Sequence, residues 1–168
     1  MVVLVFDSTP LIHLSKVKIL VKVSELKAIK LIPALVYREV LIGSGERDDA
    51  AYLSSLVEKG IFKVVDVKEL IKNLPTVRLS DADIQVLSLA KERKGLAVMD
   101  EETGRRVAEQ LNIETIGSAG ILFALLKRKI ITKEEFQTAF NNMVDNGWFC
   151  SAALYSYVIE EMEKKSMN

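Results

Sequence analysis

Four acidic side chains occupy positions from which a carboxylate can act as a ligand or a base. Asp7 follows the apolar run VVLVF and Asp100 follows LAVM. Glu39 lies in PALVYREVL and Asp83 in LSDADIQVLSLA. Clustered carboxylates repel one another, so at neutral pH such a group needs a proton or a cation. Hard, oxygen-only donors suit Mg²⁺ or Mn²⁺. An ion held in this way activates water for attack on a phosphodiester and neutralises charge on the departing oxygen. Each acid also has a structural explanation. Asp7 fits a turn with Ser8 and Thr9, or a cap on a helix beginning near Pro10. Asp100, followed by Glu101 and Glu102, fits the first turn of a helix, where the dipole favours negative charge. Glu39 fits a solvated helix residue. Ser80-x-x-Asp83 resembles a capping box, with aspartate in place of the usual glutamate or glutamine, and Asp81 fits the same N-terminal preference.

The acids form a site only if the elements carrying them converge. Val2–Phe6, 31–32, 61–67, 96–99 and 113–116 read as short strands. The first and fourth are near-continuous in apolar character, which predicts interior strands of a parallel sheet covered by helices on both faces. Helical patterns run over 34–42, 48–58, 81–94 and 103–111. Pro33 precedes the first of them, Gly60 stops the second and Gly95 closes the third. This alternation predicts an α/β layered domain. In such sheets, sites form outside the carboxyl ends of the strands. Asp7 and Asp100 would then share one sheet edge, within reach of a common cation if their strands are neighbours. Helical spacing sets Glu39 near the edge of its helix's apolar face. Beyond Ser118 the patterns at 119–127, 133–142 and Ala152–Lys164 are helical, with Thr132 and Ser151 as N-caps. No Gly-, Ser- or Pro-rich linker intervenes, so residues 1–168 are expected to form a single domain, with 119–168 a helical C-terminal portion packed on it.

Bulk properties narrow the function. The 168 residues are 49% hydrophobic and 27% charged, enough for one well-buried core. The 23 basic and 23 acidic side chains cancel, which removes global steering toward nucleic acid but leaves room for a local basic rim. Candidates for that rim are Lys16, Lys18, Arg38, Lys91, Arg93, Lys94 and the run Lys127-Arg128-Lys129. The only cysteine, Cys150, excludes a disulfide framework and a thiolate metal site, and reads as a small core residue. His13 reads as a helix-surface or packing residue, which leaves a zinc site or a histidine base with little support. Neither a phosphate loop ending in GK[ST] nor a GxGxxG turn is present. Ser8 after Asp7 disfavours a phosphate-accepting signalling domain, and Thr9 disfavours a DxD phosphatase or dehalogenase. Trp148, Phe149, Tyr155 and Tyr157 are expected to seal the C-terminal helices onto the core or, alternatively, to cover an interface. Without a membrane span or a basic leader, the expectation is a cytoplasmic protein with no membrane partner.

Taken together, DSTPLIHL, IPALVYREV, LSDADIQVLSLA and AVMDEETGRRVAEQL resemble the four acidic motifs of the PIN domain family. The tail, GSAGILFALLKRKII and DNGWFCSAALYSYVIEEM, is similar to the helical end of its VapC-type branch, the toxin ribonucleases of prokaryotic type II toxin–antitoxin pairs. The resemblance covers nearly the whole chain. It implies a three-layer α/β/α fold with a central, mainly parallel five-stranded sheet and additional C-terminal helices. It also implies a metal-dependent ribonuclease in which Asp7, Glu39, Asp83 and Asp100 hold Mg²⁺ or Mn²⁺. Ser8, Asp81 and Glu101 would support them, and Arg105 or Arg106 would meet substrate phosphate. Two positions depart from the family pattern: Asp83 replaces a frequent glutamate, and Glu101 a common second aspartate. RNA as substrate, a homodimer or higher homo-oligomer, and a cognate antitoxin follow from the resemblance alone. The competing expectation is a catalytically inactive PIN-like RNA- or protein-binding module.

Overall fold

The computed structural model describes residues 1–43, 47–74 and 78–164. The five apolar residues VVLVF form β1 (Val2–Phe6), the middle strand, with Val5 and Phe6 fully enclosed. β2 (Ala28–Pro33) and β4 (Leu96–Val98) flank it, and β3 (Lys63–Val65) and β5 (Thr115–Ile116) close the edges. The order is β3-β2-β1-β4-β5 and every pairing is parallel. Helices cover both faces, giving three α/β/α layers. They are α1 (Ser8–Lys16), α2 (Ala34–Gly43), α3 (Arg47–Glu58), α4 (Asp81–Arg93), α5 (Glu102–Gln110), α6 (Ser118–Lys127), α7 (Lys133–Asp145) and α8 (Ala152–Lys164). Among the described residues, no helix is long and apolar enough to cross a membrane.

Several element bounds differ from the expectations for physical reasons. β2 is six residues long, not two, because Lys30 interrupts its apolar pattern yet is buried in it. The Lys30 ammonium donates to the Leu26 carbonyl at 2.6 Å and the Ser24 carbonyl at 3.1 Å, which offsets the cost of burying it. Those carbonyls belong to, or directly follow, a single 3₁₀ turn at Lys22–Glu25. β3 is shorter than the apolar run suggests. Phe62, just before it, leaves the ladder to meet Phe6 edge to face, with centroids 5.2 Å apart. α1 starts at Ser8, two residues before Pro10, where a missing N–H costs no intrahelical bond. Both capping residues anticipated at α4 and α7 are in place: Ser80 with Asp83 and Thr132 with Glu135 form reciprocal boxes. Ser151 accepts the Leu154 N–H at 3.1 Å at the head of α8.

The C-terminal helices pack back on the sheet layers through α1, which touches both α6 and α7. Phe136, Phe140 and Met143 of α7 are buried there, and Trp148 joins them. The other aromatics differ: Tyr155 meets Phe140 and Tyr157 meets Phe123 from partly exposed positions, while Phe149 is left in solvent. Cys150 is also only half-buried, its thiol against the Ser151 carbonyl at 3.5 Å, so it is not a core residue.

Gly95 ends the α4–β4 connection at a close approach of two backbones. A Cβ there would sit 2.7 Å from the Val3 carbonyl oxygen and 2.9 Å from the Val3 Cβ, both in the central strand. Neither atom can yield, so Gly95→Ala is expected to destabilise by roughly 3 kcal/mol. Urea unfolding checks this, and a loss below about 0.5 kcal/mol would show that β1 and β4 can slide apart.

Candidate acidic site at the sheet edge

β1 and β4 are neighbours, with Phe6 opposite Val98, so Asp7 and Asp100 do leave the sheet at the same edge. The Asp7 N–H extends the ladder, donating to the Val98 carbonyl at 2.9 Å. Asp7 takes the N-cap position of α1 in extended backbone, yet its side chain accepts no capping bond. The helix-cap explanation therefore fails for this residue. The residue is 4% exposed, and burial pushes its carboxyl pKa up from 3.8 to about 7. The Ser8 backbone N–H lowers it in part, while Asp83, Glu101 and Glu39 each raise it further. Three of the anticipated acids thus act electrostatically on a fourth.

Asp83, on the first turn of α4, is buried but engaged locally. Its Oδ2 accepts from the Ser80 N–H at 3.0 Å and the Ser80 hydroxyl at 2.8 Å. Glu39 is exposed on α2; desolvation raises its pKa first, followed by Asp83 and Asp81. Asp81 is exposed beside it in the first turn of α4. Glu101 holds the N-cap position of α5 without a side-chain cap bond.

Asp100 is the acid whose surroundings sequence reasoning missed. Its Oδ1 accepts the Ser118 N–H at 2.7 Å, and its Oδ2 accepts the Ser118 hydroxyl at 2.6 Å and the Trp148 indole N–H at 3.1 Å. The head of α6 and the α7–α8 connection thus clamp the carboxylate. The signals were a Gly-Ser pair after the fifth strand and a lone tryptophan, neither of which names a partner 18 or 48 residues away. Gly117 belongs to the same clamp. Its φ of −92° suits any residue, but a Cβ would lie 3.0 Å from Asp100 Oδ1 and 3.2 Å from Arg105 Nη1. Arg105 has no ion-pair partner among the described residues, whereas Arg106 pairs with Glu102 one turn away. The two candidate phosphate contacts are therefore unequal.

A cleft of about 420 Å³ borders this edge, lined by Thr9, His13, Asp100, Glu101 and Trp148 among others. His13 is half-buried there, and its Nδ1 is buried without a hydrogen-bond partner. Burial lowers the His13 pKa first; Asp100 opposes that shift and Lys16 adds to it. Whether these residues fit a divalent ion is answered differently at each acid. Asp7, buried among like charges, has the chemistry of a cation ligand. Asp100 has both oxygens engaged by protein donors, whereas Asp83 has only Oδ2 engaged, by Ser80. Among the described residues no three His, Cys, Asp or Glu side chains converge to hold one ion.

Residues 3–164 match the family model described as "DUF3368: PIN domain". Among solved structures, a PilT N-terminus domain protein from the hyperthermophilic archaeon Sulfolobus solfataricus P2 is similar in fold. Its TM-score is 0.55 at 18% identity, over 74% of this chain and 93% of that one. A search of curated proteins returns no match. With the parallel five-stranded sheet, the acidic edge and a family match across nearly its whole length, the chain belongs to the PIN domain family.

Proposed function

We propose that this PIN-domain protein is an RNA-binding module whose acidic sheet edge meets the phosphate backbone through a divalent cation. The observation that carries this reading is the unequal state of the acids. Asp83 and Asp100 are held by Ser80, Ser118 and Trp148, while ionisation of Asp7 is opposed by burial first and then by its acidic neighbours. A bare acidic edge repels phosphate, so a cation at Asp7 relieves the like charge and offers RNA a positive contact. Arg105, without an ion-pair partner, is the protein's own phosphate contact. The choice of RNA rests on the family.

A second reading, a metal-dependent ribonuclease of the toxin type, is favoured by the field at Asp7. Glu39 of α2, Asp83 of α4 and Glu101 before α5 all load negative charge onto this one buried carboxylate. In this reading Asp7, Glu39, Asp83 and Asp100 would hold Mg²⁺ or Mn²⁺, which would supply water activation and charge neutralisation at the departing oxygen. Ser8, Asp81 and Glu101 support them, and Arg105 orients the phosphate. A toxin role would bring a cognate antitoxin and a homodimer with it.

Incubation of single-stranded and structured RNAs with Mn²⁺, Mg²⁺ or EDTA separates the two, with Asp7→Asn and Asp100→Asn alongside. The binding module predicts metal-dependent retention of intact RNA, weakened by Asp7→Asn. Metal-dependent products that vanish in both variants would replace it with the ribonuclease. Neither retention nor cleavage by the wild type would remove both.

A further inference from the structure

We propose that the groove between α6 and α8 beside Asp100 is a nucleobase subsite. In it an unpaired base of single-stranded RNA lies against Phe149 and Tyr157 while its phosphate meets Arg105. This deepens the RNA-binding reading and rests on it. Phe149 is 85% exposed and makes no ring contact among the described residues. Its neighbours hold it in place. Gly147 turns the chain at a φ of +85°, Trp148 is buried between Phe140 and Asp100, and Ser151 caps α8. A phenyl ring is thus presented to solvent from an anchored connection, at the cost of leaving it wet.

The space around it has two chemistries side by side. A groove of about 590 Å³ runs from Arg105, Asp100 and Glu102, the last paired with Arg106, to Phe123, Phe149 and Tyr157. Tyr157 is half exposed and meets Phe123 edge to face at 6.0 Å, which fixes the far wall. The cleft holding His13 and Glu101 lies on the other side, and Phe149 and Asp100 line both. An aromatic surface continuous with a cation is the arrangement that takes a base and its phosphate together. Single-stranded RNA offers unstacked bases, whereas a duplex hides them. Gly117 keeps the gap between the Asp100 carboxylate and the Arg105 guanidinium open, where any Cβ would crowd both. An apolar face of a second copy is the poorer occupant, because it would strip water from Arg105 and Asp100 without replacing it.

Anisotropy titrations test this with three Mg²⁺-containing probes: a labelled single-stranded oligoadenylate, an abasic oligomer of equal length, and the same strand in a duplex. Wild type, Phe149→Ala and Arg105→Ala are compared, with gels for RNA integrity and solution mass for oligomeric state. The expected result is preference for the single strand over both other probes. Phe149→Ala should weaken single-strand binding about tenfold and leave the abasic oligomer unaffected. Arg105→Ala should weaken both. Equal wild-type affinity for abasic and intact strands would overturn the subsite alone. So would a Phe149→Ala protein that keeps full single-strand affinity, including one that only loses a dimer, which would make the face an interface between copies. Failure of the wild type to bind any probe would instead remove the RNA-binding reading beneath it.

Discussion

Asp7→Asn is expected to stabilise the protein above neutral pH. The wild-type carboxyl has a folded-state pKa of about 7 against an ordinary 3.8, raised first by burial and then by Asp83, Glu101 and Glu39. A raised acid pKa means that the folded state binds the proton more tightly than the unfolded chain. Below about pH 4 both states are protonated and the penalty is absent. It grows as pH rises through the interval and is complete above about pH 7. The rise from 3.8 to about 7 corresponds to about 4 kcal/mol, or roughly 10 °C in melting temperature for a chain of this length. Asparagine keeps the shape of the side chain and removes the charge, so the variant should gain most of that amount at alkaline pH and nothing in acid. Mn²⁺ gives the complementary signal. It should stabilise the wild type where Asp7 is ionised and leave the variant unmoved. Melting curves of the two proteins that stay parallel from acid to alkaline pH would show that Asp7 carries no such charge penalty. A site that weakens its own fold in this way is typical of residues retained for binding or chemistry.

Phe140→Ala should be the most damaging change at the C-terminal end, and it should be felt at Asp100. Phe140 is almost fully buried and meets three rings: Phe136 stacked at 6.1 Å, Trp148 edge-on at 5.8 Å and Tyr155 at 6.0 Å. Truncation removes the ring's burial energy and leaves a cavity, a loss of about 4 kcal/mol. It also removes the wall that presses the Trp148 indole toward the Asp100 carboxylate. Because Trp148 is the single tryptophan, its emission reports the change, and a red shift is expected as the indole reaches water. Phe136→Ala serves as the comparison. Phe136 is equally buried but packs on Phe123 and Phe140 rather than on the indole. It should lose similar stability with little change in emission. Identical spectra for the two variants would show that Ser118, not the aromatic packing, holds the clamp.

What the sequence determined by itself is local. Apolar runs ending in acids, caps three residues from their partners, and glycines at helix ends act over a few residues, so the layers, most helices and the capping box at Ser80 and Asp83 could be read directly. The shared edge of Asp7 and Asp100 needed one further step, the adjacency of β1 and β4, because strand order depends on which crossovers cover the sheet. Lys30 hid a strand because its ammonium donates to carbonyls in and just after a 3₁₀ turn, a compensation no alternation pattern reveals.

The chemistry of the acids was decided by tertiary structure. Asp7 and Asp100 follow similar strands, yet one is buried among like charges and the other is bound by Ser118 and Trp148. Arg105 and Arg106 are adjacent, yet helix rotation points one at Glu102 and the other at the gap beside Gly117. Phe149 follows a buried tryptophan and is itself in water. A carboxylate's charge, a guanidinium's availability and a ring's exposure depend on what surrounds them in space, and those surroundings come from residues far away in the chain.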